Sequence, residues 1–103
     1  MITYDLHPQV RLDLDEIWEF IGRDNLDAAD KVIADIVASI DALATFPNRG
    51  HKRPDLTSRP LRFTLARDYL IAYTPEEKPL WIVAVMHGRR SPRVMAAILR
   101  DRE

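Results

Sequence analysis

The residues best suited to chemistry lie together near the C-terminus: His87, Gly88, Arg89 and Arg90, then Ser91, Pro92 and Arg93. An imidazole can move a proton near neutrality, and a guanidinium grips a carboxylate or phosphate through two parallel donors. Adjacent exposed guanidiniums repel each other unless an anion is close, so this group reads first as a surface for gripping an anionic partner. Arg62 is the other candidate. Alternation places it opposite Leu61 and Phe63 on its strand, from where a meander can bring it toward His87. Together, His87 could move a proton while Arg62 and Arg90 hold an anionic group. Each residue also has a plainer reading. His87 can be a strand-end residue bonded to backbone, and Arg62 can pair with Asp13 or Glu16 to brace sheet against helix.

The rest of the composition narrows the field. The 103 residues contain no cysteine, which excludes disulfides, thiolate metal sites and a thiol nucleophile. The histidines at 7, 51 and 87 lack metal-ligand spacing, so neither a metal nor a cofactor is expected. A net charge of −1 hides a division: residues 1–48 hold three Lys/Arg against ten acids, and residues 49–103 hold twelve against six. An acidic half beside a basic half suggests a basic face that attracts nucleic acid or an acidic protein segment. The near-zero total is unlike a dedicated nucleic-acid binder. No run of 18 apolar residues and no secretory leader pattern is present, so a cytoplasmic protein with no membrane contact is expected.

Periodicity then says which elements position these residues. Ile2 to Leu6 alternates as a short strand. Pro8 suits a first helical turn, and Val10, Leu14, Ile17, Trp18 and Ile21 form one helical face that stops at Gly22. Asp24 or Asn25 can cap a second, longer helix with its stripe at Ala29, Val32, Ile33, Ile36, Val37, Ile40, Leu43 and Ala44. So short a connection makes the two helices an antiparallel hairpin. Residues 47–60 read as a basic, proline-rich surface loop. Three strands follow in Leu61 to Ala66, Tyr69 to Thr74 and Leu80 to Met86, the last apolar throughout and therefore buried on both faces. Ser91 and Pro92 open a short C-terminal helix. Trp18, Trp81, Tyr69 and Tyr73 read as core. The whole is one domain, 1–103, of the α+β class: an N-terminal strand, a helix hairpin, a three-stranded antiparallel meander and a C-terminal helix, giving a small, mostly antiparallel sheet with helices on one face.

A set of short patterns in this order resembles the ParE/RelE superfamily of bacterial toxins, and most closely its ParE branch. The patterns are Asp13 to Trp18, Ala28-Ala29, Leu43 through Pro47 then Gly50, Leu61-Arg62, Tyr69 to Tyr73, and Val83 to Arg90. The resemblance implies the toxin of a type II toxin–antitoxin module, neutralised by an antitoxin whose C-terminal segment folds along its surface. The ParE branch is associated with inhibition of DNA gyrase, and the RelE branch with cleavage of messenger RNA on the ribosome. RelE-like nucleases usually carry an aromatic residue in the C-terminal segment, where this chain reads Val94-Met95-Ala96-Ala97. Gyrase binding is therefore the preferred reading, with no catalytic residue. Messenger-RNA cleavage by Arg62, His87 and Arg90 is the alternative, and a homologue that only binds its antitoxin the third. Target contacts are expected at Arg62, His87, Arg89, Arg90 and Arg93. Antitoxin contacts are expected at Val10, Leu14, Trp18 and Ile21, with Arg49 and Arg53 meeting its carboxylates. Self-association into a homodimer is a further possible use of exposed helix surface.

Overall fold

A computed structural model describes residues 4–103. The elements run β1 (Tyr4–Leu6), α1 (Pro8–Gly22), α2 (Leu26–Thr45), β2 (Arg62–Ala66), β3 (Tyr69–Thr74), β4 (Leu80–His87) and α3 (Pro92–Asp101). Each helix starts where a side chain can satisfy an orphan backbone donor. Asn25 Oδ1 accepts from Ala28 N at 3.0 Å, and Ser91 Oγ from Val94 N at 3.2 Å. The α1 cap is His7, whose Nδ1 accepts from Gln9 N at 3.1 Å. Pro8 and Pro92 occupy first-turn positions that need no donor. Ile2 and Thr3 of the expected first strand lie outside the described residues.

The four strands form one sheet in the order β1-β4-β3-β2. β2, β3 and β4 are the expected antiparallel meander, while β1 adds to the outer edge of β4 in parallel, with Tyr4 opposite Leu80 and Leu6 opposite Ile82. Alternation identifies a strand but not its partner or direction, which is why the parallel pairing is visible only in three dimensions. A bulge interrupts the β3–β4 ladder: Ala72 faces Ala84 and Tyr73 faces Ile82, leaving Val83 as the extra residue of β4.

The helix hairpin covers one sheet face. Val10, Val32, Ile36, Ile40 and Leu43 pack there against Tyr69, Ile71, Tyr73, Ile82 and Val85. Burial of each such aliphatic side chain contributes roughly 1.5–3 kcal/mol, so a charge at Ile36, which has no exposed surface, would open this core. The α3 helix refines the arrangement. Its Met95 and Leu99 form a second cluster with Leu56 and Leu61 of the preceding loop and with Phe63, Leu70, Ala72, Val83, Ala84 and Met86 of the strands. Both sides of β4 are thereby covered, as its unbroken apolar run requires. Leu56 belongs to this cluster, so the 47–60 segment is anchored by an apolar side chain.

Candidate functional site

β4 is buried from Ile82 to Met86 and emerges at His87. The next turn is well braced. Gly88 N donates to Asp68 O at 2.7 Å, Arg90 N to His87 O at 3.1 Å, and Arg89 N to His87 Nδ1 at 3.0 Å. A Cβ at Gly88 would lie 3.1 Å from the Asp68 carbonyl, so a side chain there would push the two turns apart. The His87 ring meets the Tyr69 ring edge-on at a centroid separation of 5.2 Å. Burial first, and the Asp68 charge second, raise the Tyr69 hydroxyl above its ordinary pKa, keeping it protonated at neutral pH. Arg89, Arg90 and Arg93 are exposed and enter no ion pair among the described residues. A backbone-rigid tip thus presents cations to solvent.

The tip includes a residue that sequence reading did not single out. Arg67 opens the two-residue turn between Ala66 and Tyr69 with φ of 54°, the one positive-φ non-glycine among the described residues. Its Nε donates to Asp35 Oδ2 of α2 at 2.6 Å, with both side chains about half exposed (48% and 52%). An exposed pair of this kind contributes roughly 0.2–1 kcal/mol, whereas a non-glycine held in the left-handed region costs on the order of 1–3 kcal/mol.

Arg62 lies elsewhere. It pairs with Tyr73, which faces Ile82, while His87 pairs with Tyr69, which faces Ala66. Four residues along and two strands across separate Arg62 from His87 by roughly 16 Å. The meander therefore does not bring Arg62 to His87, Arg89 and Arg90. Nor does Arg62 pair with Asp13 or Glu16: its Nη1 donates to Gly50 O at 2.7 Å and Asn48 O at 3.5 Å. Tyr73 completes the same clamp, donating its hydroxyl to Pro47 O at 2.7 Å and accepting from Gly50 N at 2.9 Å. A Cβ on Gly50 would fall 2.7 Å from both Phe63 O and Tyr73 Oη, so only glycine fits. His51 pairs with Phe63 and seals the outer edge of β2. Arg62 and Tyr73 thus fix the loop that holds Arg49, whose side chain is exposed, and Arg53, which is committed to Asp55 at 2.8 Å.

Asp13 has a structural partner 89 residues away. Arg102 donates Nη1 and Nη2 to its two carboxylate oxygens at 2.6 and 2.8 Å, and Nη1 also donates to Val83 O at 3.2 Å. Asp13 Oδ2 accepts from Val85 N at 3.0 Å. β1 ends opposite Ile82, so this ion pair replaces the missing strand and closes the edge of β4.

The expected antitoxin face divides in the same way. Val10 has no exposed surface, and Leu14 and Ile21 are half-buried against the core, because the single apolar stripe of α1 is consumed by the sheet and α2. Trp18, read as core, is 40% exposed and donates Nε1–H to Asp30 at 2.9 Å, tying α1 to α2. The open apolar surface lies beside that stripe. A groove of about 330 Å³ runs between α1 and the end of β4, with Ile17, Phe20, Tyr69 and Val85 giving it apolar surface. Asp13, Glu16 and Glu19 supply acids, Arg23 and Arg90 cations, and His87 an imidazole. Phe20 is 70% exposed. The helical stripe of α1 marks the core, but Phe20 falls outside it and carries no periodic signal.

Two comparisons bear on this geometry. The family described as ParE toxin of type II toxin-antitoxin system, parDE, matches residues 4–92, which run from β1 through the basic tip to the first residue of α3. A protein of Sinorhizobium fredii named "Putative toxin Y4kP" is 35% identical over 89 residues, covering 80% of this chain and 84% of its own length. The resemblance carried by the short motifs therefore holds across the sheet, the hairpin and the tip. The chain belongs to the ParE toxin family of type II toxin–antitoxin systems.

Proposed function

We infer that this chain is a toxin that acts by binding DNA gyrase through the basic tip at the end of β4, without chemistry of its own, and that a cognate antitoxin neutralises it. The observation that carries the reading is the rigid mounting of Arg89 and Arg90. Their turn is fixed by the Gly88–Asp68 and Arg89–His87 hydrogen bonds, while their guanidiniums have no ion-pair partner among the described residues. Rigid cations on a scaffold favour a pre-organised protein contact, which avoids ordering cost on binding. Cleavage of RNA by the expected set would call for Arg62, as well as Arg90, beside His87. Arg62 stands roughly 16 Å from His87 by strand spacing and is engaged with loop carbonyls, which favours binding over catalysis.

Antitoxin capture is best accommodated by the groove between α1 and β4. An amphipathic helix could seat an apolar side chain against Phe20 and Ile17, with its own charges answering Glu16 and Glu19 on one side and Arg23 and Arg90 on the other. Purified toxin added to gyrase and relaxed plasmid tests the target. Loss of supercoiling is expected; undisturbed supercoiling with messages cut at the ribosomal A site in a cell-free extract would install the nuclease reading instead. Normal colony growth after induction without antitoxin would leave antitoxin binding as the only retained property.

A further inference from the structure

We propose that Arg67 is an additional target-contacting residue, and that on binding its guanidinium exchanges Asp35 for a carboxylate of the target protein. The inference rests on the reading of the β4 tip as the binding surface. Three observations carry it. A two-residue hairpin loop with positive φ at its first position only is the pattern in which glycine is preferred there, yet an arginine occupies it. Strain of this kind persists where the surroundings enforce it, and it clusters at functional sites. The intramolecular contact does not account for it, because a half-exposed pair with Asp35 stabilises less than the backbone conformation costs.

Placement supplies the task. Asp68, the next residue, accepts the Gly88 N–H at 2.7 Å, so the β2–β3 turn and the turn carrying Arg89 and Arg90 are one hydrogen-bonded unit at one end of the sheet. Arg67 therefore presents a third guanidinium on the same rigid tip. The acids interleaved with these cations identify the partner class. Exposed Asp68 and Asp35, and Glu16 and Glu19 in the adjoining groove, would repel a continuous phosphate backbone, whereas isolated carboxylates on a protein surface can find the cations between them. The Asp35 pair holds the Arg67 side chain extended until such a carboxylate arrives.

The test compares Arg67→Gly, Arg67→Lys, Asp35→Ala and the Arg89→Ala/Arg90→Ala pair in full-length protein, reading thermal stability, growth arrest on induction and inhibition of gyrase supercoiling. Arg67→Gly relieves the strained backbone, so its midpoint is expected to stay level or rise, while its inhibitory potency falls at least fivefold. Arg67→Lys should retain part of that potency, and Asp35→Ala should match or exceed wild type. Potency of Arg67→Gly within twofold of wild type overturns the proposal. If the Arg89/Arg90 pair is impaired in that same experiment, the tip reading survives and only Arg67 is removed from it. If wild type arrests growth without touching supercoiling, gyrase falls as the target and Arg67 is judged on growth arrest by the same criterion. A wild type that does neither overturns both. Retention of linear duplex DNA in a gel shift that is lost in Arg67→Gly overturns the carboxylate assignment.

Discussion

Replacing Arg102 by leucine should be strongly destabilising although it touches neither apolar cluster. The substitution leaves the Asp13 carboxylate at the edge of β4 with one remaining donor, Val85 N, and strips Val83 O of its partner. The pair retains only 11% and 13% side-chain exposure, so the charge left behind is poorly hydrated. Breaking a buried pair from one side costs about 3–5 kcal/mol, and the residual exposure places this one near 3 kcal/mol. An unfolding entropy of about 2.1 cal/mol/K per residue, taken over the chain, converts that loss into a fall of roughly 14 °C in the thermal midpoint. Scanning calorimetry of wild type, Arg102→Leu, Asp13→Leu and the double variant measures both the fall and the coupling. The double variant should be less destabilised than the sum of the singles by at least about 1 kcal/mol, because it strands no charge. A midpoint drop below about 4 °C for Arg102→Leu, or strict additivity, would refute the view that this ion pair substitutes for a strand at the edge of β4.

Three further outcomes follow from the same geometry. The His7 imidazole is pushed below its ordinary pKa by burial first, then by Arg102 and Arg59, against an opposing pull from Asp13. The unfolded chain therefore takes up this proton before the folded one does, and stability should decline as pH falls from about 6.5 through the lowered folded value. Urea midpoints measured between pH 7.5 and 5 should show the decline, and His7→Asn, a helix cap at any pH, should flatten it. Tyr73→Phe orphans the buried Gly50 N–H and should cost about 1–3 kcal/mol in urea unfolding, whereas Tyr69→Phe, which breaks no hydrogen bond of the described structure, should cost less. Phe20→Ser should leave the midpoint within about 2 °C of wild type, since the ring is mostly exposed, yet abolish co-purification with the cognate antitoxin; an intact complex would move the antitoxin off this groove.

Much of the fold was legible from local pattern. The stripe at Val32, Ile36, Ile40 and Leu43 marks α2, Ser91 signals its cap, the α2 cap is narrowed to Asp24 or Asn25, of which Asn25 serves, and the apolar run of β4 requires cover on both faces. These signals arise within a few residues of chain, where periodicity and capping act. The information missing from the sequence was all long-range or conformational. The parallel seat of β1, the Asp13–Arg102 pair across 89 residues and the seizure of Arg62 by the carbonyls of Asn48 and Gly50 depend on which elements meet. The apolar stripe of α1 fits both a core face and a partner surface, and only the packing shows that Val10 is consumed by the core. Arg67 was passed over because nothing in a residue type reveals a positive φ. His87, Gly88, Arg89 and Arg90 were legible as a tip because the strand before them is so plainly buried.

On the proposed reading, the tip at the end of β4 binds a protein target, DNA gyrase. A supercoiling titration with purified toxin, run beside the Arg89→Ala/Arg90→Ala variant at matched thermal stability, addresses it most directly. Complete inhibition by wild type and at least a tenfold loss of potency in the variant are expected. Equal inhibition by the two proteins, or supercoiling that continues at saturating wild-type toxin, would contradict it.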